Sequence, residues 1–198
     1  MEGKAATPGM RERILGTAAR LFVSHGYDGI SMREIASACD ISKAGLYYHF
    51  QDKEQLFLEI LDGNLGKLEE VISEASRQPG GSRAKVAYFV RSVFLMLPPN
   101  QSAIIRLANQ EMAKLSPAAR EDFNTRYQAR FINPLVSFLT GGVRAGEFRE
   151  VDPRLAVWGL LGLMYPFLNP EYSWQQNNTE RVIGFILSTY FDGVNARE

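Results

Sequence analysis

The chain has 198 residues, 45% of them apolar, and its 22 lysines and arginines balance 22 aspartates and glutamates. That length supports one or two domains with a real hydrophobic core. A net charge of zero lacks the basic surplus usual in nucleic-acid binders, so any reading as a DNA binder has to rest on where the charges sit.

Over 9–25 the apolar residues Ile14, Leu15, Ala18, Leu21 and Phe22 recur at steps of three and four, one face of a helix, and Gly26 supplies its left-handed stop. Ser31 with Glu34 reads as a capping box, each side chain satisfying a free backbone amide of the other residue; it opens a short second helix with Ile35, Ala36 and Cys39 on one face. Asp40 and Ile41 turn the chain, and Ser42 is a natural N-cap for a third helix of barely two turns. Asp52 with Gln55 makes a further capping box, and Leu56, Phe57, Ile60, Leu61, Leu65, Leu68, Val71, Ile72 and Ala75 describe a long amphipathic fourth helix ending at Pro79, Gly80 and Gly81.

The pattern stays helical over 83–97, 102–114, 118–140, 153–168 and 179–194, with strand signals nearly absent. Pro134 removes a backbone donor inside the third of these segments and should kink or divide it; Gly141 and Gly142 should end it. The expected fold class is all-α, with about nine helices: three short ones, then about six longer ones, the fourth serving as a rigid joint without a flexible linker.

On a wheel of about 100° per residue, Leu46 and Phe50 define the inward side of the third helix, and Ala44, Gly45 and Tyr48 the outward side. Tyr47 and His49 flank that face, and Lys43 projects from the first turn, where free backbone amides already favour an anion. Two short helices across a tight turn, the second with a small-residue face ringed by hydrogen-bonding groups, form a helix-turn-helix able to enter a major groove about 12 Å wide. Ser31, Ser42 and Lys53 stand at helix starts where they could meet phosphates.

The stretch "ISMREIASACDISKAGLYYHFQDKEQL", with its "GYDGIS" approach, resembles the DNA-binding signature of the TetR family of transcriptional regulators. The resemblance covers the first quarter of the chain. It implies an N-terminal three-helix bundle with a helix-turn-helix over 1–52 that contacts DNA through the outward residues of the third helix, Ser31 and Lys53 meeting the backbone. It further implies a larger helical ligand-binding and dimerisation domain over 53–198. Cys39 and Asp40 depart from the family pattern, which commonly has a small residue and a glycine in that turn, and should strain it slightly.

Nothing after Pro79 matches a signature. The segment 155–164 is apolar all round its wheel and must be covered on every side, and 182–191 has the same excess. A second copy is the expected cover, with Trp158, Gly159, Gly162, Ile183, Ile186 and Tyr190 at a symmetric four-helix contact, and a buried monomeric core is the competing explanation. Two reading heads then match a two-fold symmetric operator in double-stranded DNA. Phe89, Phe94, Tyr127, Phe131, Trp158 and Tyr165 can line an apolar effector pocket, with Arg106 and Gln110, one helical turn apart, at its polar end. Ordinary core packing is the competing reading of these aromatics.

Other classes find little purchase. Two distant histidines, one cysteine, no zinc spacing, no nucleophile elbow and no phosphate loop leave no expected catalytic residue, metal or cofactor. The lone Cys39 and an opening without a secretory signal favour the cytoplasm, and the longest apolar run, 155–169, is shorter than the roughly 20 residues that span a bilayer. Asn177, Asn178 and Thr179 match a glycosylation acceptor but read as a helix start. The expected function is a ligand-responsive DNA-binding regulator, most simply a repressor released by a largely apolar effector; a constitutive architectural dimer and a helical enzyme are the alternatives.

Overall fold

The computed structural model describes residues 9–95, 99–168 and 175–194, and every regular element among them is helical. α1 (Met10–His25), α2 (Met32–Ala38) and α3 (Lys43–His49) precede the long α4 (Lys53–Ser76). α5 (Ser82–Leu95), α6 (Pro99–Glu111), α7 (Pro117–Tyr127), α8 (Asn133–Arg144), α9 (Pro153–Met164) and α10 (Gln175–Val194) follow. α7 and α8 are one rod, joined through a π turn at Gln128–Ile132, so the described residues form nine rods.

That π turn is the chain's answer to Pro134. With no N–H to give, Pro134 leaves a gap in the α ladder, and the turn just before it widens so that the Asn133 amide reaches five residues back to the Gln128 carbonyl. The helix is therefore neither broken nor stopped at 140: Gly141 and Gly142 lie inside α8, contrary to expectation. A Cβ on Gly142 would run into the Phe148 ring, so this glycine serves close packing, and the left-handed stop comes at Gly146, φ 72°. α6 likewise gives way at Glu111 to a 3-10 turn over Met112–Lys114, and α10 starts at Gln175, four residues before the expected position.

Local capping sets the N-terminal helices as the sequence suggests. Ser31 accepts from the Glu34 amide at 3.3 Å while the Glu34 carboxylate takes the Ser31 amide at 2.8 Å. Asp52 caps α4 through the Gln55 amide at 2.7 Å, although the Gln55 side chain reaches back to Gln51 rather than to Asp52. Asp40 sits in the left-handed region at φ 54°, a conformation a short polar side chain tolerates at a cost of up to about 1 kcal/mol relative to glycine.

One hydrophobic cluster runs from Ile14 to Phe191. Where α1 meets α4, Phe22, Tyr27 and Phe57 pack as an aromatic triad, with Phe57 edge-on to Phe22 at 5.1 Å and to Tyr27 at 5.0 Å between centroids. Lys53, in the first turn of α4, donates to the carbonyls of Tyr27 at 2.9 Å and Ile30 at 3.1 Å and lies 4.4 Å from the Tyr27 ring centroid. The α1–α2 loop is thereby fastened to α4. Polar contacts add a second fastening to the rest of the chain: Ser116, the N-cap of α7, gives its amide and hydroxyl to Glu54 at 2.6 and 2.9 Å, and Lys114 pairs with Asp28 at 2.9 Å. Such exposed pairs stabilise little by themselves, so their effect is on relative placement.

Candidate functional site

α3 owes its position to two anchors and one cap. Leu46 and Phe50 are fully buried, and the Ser42 hydroxyl accepts the Gly45 amide at 3.0 Å. The opposite face is left to solvent: Tyr48 is 86% exposed and Tyr47 42%, and Lys43 and Ala44 are exposed beside them. Gly45 and His49 are half-buried at the margins, with the His49 ring edge-on to Tyr48 at 5.2 Å. The Lys43 ammonium stands 5.6 Å from the Tyr47 ring centroid and has no carboxylate partner among the described residues.

Ser31 and Lys53 are engaged otherwise. The Ser31 hydroxyl donates to the Glu34 carboxylate at 2.6 Å, and these Ser31 hydrogen bonds hold the Glu34 carboxyl below its usual range. Ser31 can donate to a phosphate only by giving up that bond. Lys53 spends two of its three protons on loop carbonyls and keeps one. Both residues hold the loop in place, and only what remains of their hydrogen-bonding capacity is free for a phosphate.

Behind these helices, α4, α5, α6, the α7–α8 rod and α9 line two adjoining, partly open chambers of about 420 and 240 Å³. Leu68, Ile105, Tyr127 and Trp158 border both chambers. Of the expected pocket residues, the structure brings Phe89, Tyr127, Phe131, Trp158 and Tyr165 together on the larger chamber. Phe94 instead packs against the core away from either chamber, and Gln110 is exposed and lines neither. The Arg106 side chain lies outside the described residues. Burial pushes the Tyr127 hydroxyl up to about 12, which keeps it neutral over the physiological range.

Sequence reasoning passed over Asn64, which lines the smaller chamber from α4. The signal was present: position 64 falls three residues after Leu61 and four before Leu68, on the same inward stripe.

α9 leaves Leu155 (67% exposed) and Gly159 to solvent, with Trp158 (45%) and Gly162 exposed where they border the larger chamber, and α10 exposes Gly184 and Phe185. A Cβ on Gly159, Gly162 or Gly184 would meet nothing within 4 Å. Three residues expected at a contact between copies need correction. Ile183, Ile186 and Tyr190 form the inward stripe of α10, buried in their own chain, and the Tyr190 hydroxyl donates to the Ala156 carbonyl at 3.1 Å. They have no surface left for a partner.

Among the described residues, no helix is long and apolar enough to cross a membrane, and no group of three or more His, Cys, Asp or Glu residues could hold a metal ion.

Comparison with known proteins agrees with this geometry. Residues 14–60 match the family model described as bacterial regulatory proteins, tetR family. The chain is 30% identical over 153 residues to the transcriptional repressor KstR2 of Rhodococcus jostii RHA1, covering 75% of this chain and 72% of that one. It is 44% identical over 61 residues to the transcriptional regulator QacR of Staphylococcus aureus, a match confined to 31% of this chain and 32% of the other. Among solved structures, AibR in complex with isovaleryl coenzyme A and operator DNA superposes with a TM-score of 0.79 at 28% identity, over 92% of this chain and 98% of that one.

Proposed function

This chain belongs to the TetR family of bacterial regulatory proteins, and we propose that it is a homodimeric repressor, released from a two-fold symmetric operator when a small, largely apolar effector fills the two-chambered cavity. In this reading residues 1–52 read DNA and residues 53–198 bind effector and dimerise. Lys43, Ala44, Gly45, Tyr47, Tyr48 and His49 approach the major groove, with Ser42 at the helix start. The protein works in the cytoplasm, and the cavity binds rather than turns over its ligand.

One observation carries the proposal: α4 is common to both ends. Its first turn holds the α1–α2 loop through Lys53, and about 16 Å further along its axis Asn64, Leu65 and Leu68 are wall of the cavity. An effector that fits one tilt of α4 better than another changes the separation of two α3 helices in a dimer, and only that difference in affinity can shift the DNA-competent population. α6 and the turn that follows it offer a parallel route, since Ile104, Ile105 and Ala108 of α6 and Met112 of the turn line the smaller chamber, and Lys114 in the same turn pairs with Asp28. The complex of AibR with both an acyl thioester and operator DNA supports joining the two activities in one molecule.

The experiment is a thermal-shift screen of apolar metabolites followed by titration of operator duplex selected from random sequence. Ligands that raise the melting temperature and weaken operator binding are the expected result. Stabilising ligands that leave operator affinity unchanged would reduce the protein to a constitutive DNA-binding dimer. On the same duplex, Lys43→Met is expected to lower the slope of log affinity against log salt by about one. An unchanged slope takes Lys43 off the phosphates.

A further inference from the structure

A polar side chain on the buried stripe of a helix ordinarily has a hydrogen-bonding partner. Asn64 does not follow that rule: it is only 7% exposed, lines the smaller chamber, and its enclosed Oδ1 accepts no hydrogen bond from any described residue. The position itself asks for no polarity, because Leu61, Leu65 and Leu68 surround it on the same face of α4. A leucine of similar size would fill the space without stranding an acceptor, so in the empty protein the amide is a liability.

The chamber's remaining chemistry narrows what could use that acceptor. The exposed Asn124 also lines the smaller chamber, and Tyr127 borders both, its hydroxyl making no hydrogen bond to a described residue. Among the described lining residues of both chambers none is charged. An ion brought there would lose its hydration without a described counter-charge, whereas a neutral hydroxyl or amide would exchange water for Asn64 at little loss.

Resting on the effector reading above, we infer that the effector is a neutral molecule whose apolar body fills the larger chamber and whose hydroxyl or amide N–H donates to Oδ1 of Asn64 in the smaller one. A turn about the soft terminal torsion of the asparagine brings the oxygen to the chamber. The bond falls on α4 itself, so the group that sets ligand specificity also grips the helix that carries α1–α3.

Three probes test this on the full chain: 1-octanol; its isomer 1-methoxyheptane, which keeps the oxygen and the size but lacks the donor; and octanoate. Binding is followed by tryptophan fluorescence, since Trp158 borders both chambers. The alcohol is expected to bind about tenfold more tightly than the ether and more tightly than octanoate. Asn64→Leu is expected to bring alcohol and ether within about twofold, with ether affinity retained. Equal affinity of alcohol and ether in the unaltered protein overturns the donor and leaves the cavity reading standing; tightest binding of octanoate overturns the neutral ligand. If no probe binds, the cavity reading and this inference fall together. Should Asn64→Leu not fold, the comparison on the unaltered protein decides alone; a variant that folds and keeps the tenfold preference removes Asn64 from the contact.

Discussion

Replacing Phe57 with alanine is expected to destabilise the protein by about 3–5 kcal/mol, the usual range for a buried phenylalanine. In a chain of this length that corresponds to a fall in melting temperature on the order of 10 °C. Phe57 is fully buried and meets Phe22 and Tyr27 edge-on, so its loss opens a cavity bounded by rings from α1 and the α1–α2 loop. Those rings cannot collapse freely into the gap, because Lys53 holds the loop backbone at Tyr27 and Ile30. The damage should reach function as well as stability. With the triad loosened, α1–α3 are no longer fixed to α4, and operator affinity should fall even at temperatures where the variant remains folded. Urea unfolding and operator titration on one preparation check both effects. A loss below about 1 kcal/mol would mean that this junction is not close-packed.

That junction also shows what could be read from the sequence and what could not. The caps of α2, α3 and α4 are interactions over three residues, so Ser31 with Glu34, Ser42 with Gly45 and Asp52 with Gln55 were visible as local patterns. The inward direction of α3 followed equally from its own wheel, with Leu46 and Phe50 on one side. Features set by distant partners were not visible. Gly142 looks like a helix end until Phe148 is seen against it, and the engagement of Lys53 with the loop needs the positions of Tyr27 and Ile30, 26 and 23 residues earlier. In α10 the apolar excess was legible, but its division between the chain's own core and an outer face was not: Ile183, Ile186 and Tyr190 went inward, Phe185 outward. Of the cavity, the aromatic share could be guessed from composition along the chain. The part of Asn64 could not, since one asparagine in a leucine stripe reads as a tolerated defect until its missing partner is seen.

For Tyr48→Ala the expectation is the reverse of that for Phe57: operator affinity should drop by at least about tenfold while stability stays within about 0.5 kcal/mol. Tyr48 is 86% exposed and its ring contact is with the half-buried His49 at the margin of the same face, so removing it opens no cavity. Alanine also favours the helix more than tyrosine does, which offsets the lost contact. An aromatic ring kept in water at the tip of a two-turn helix contributes little to the folded monomer; its hydroxyl and its edge are available to a phosphate or a thymine methyl. The paired measurements separate this reading from a structural one. A fall in melting temperature as large as that for Phe57 would place Tyr48 in the core, against its exposure, and unchanged operator affinity would move the DNA-contacting surface away from the outward face of α3.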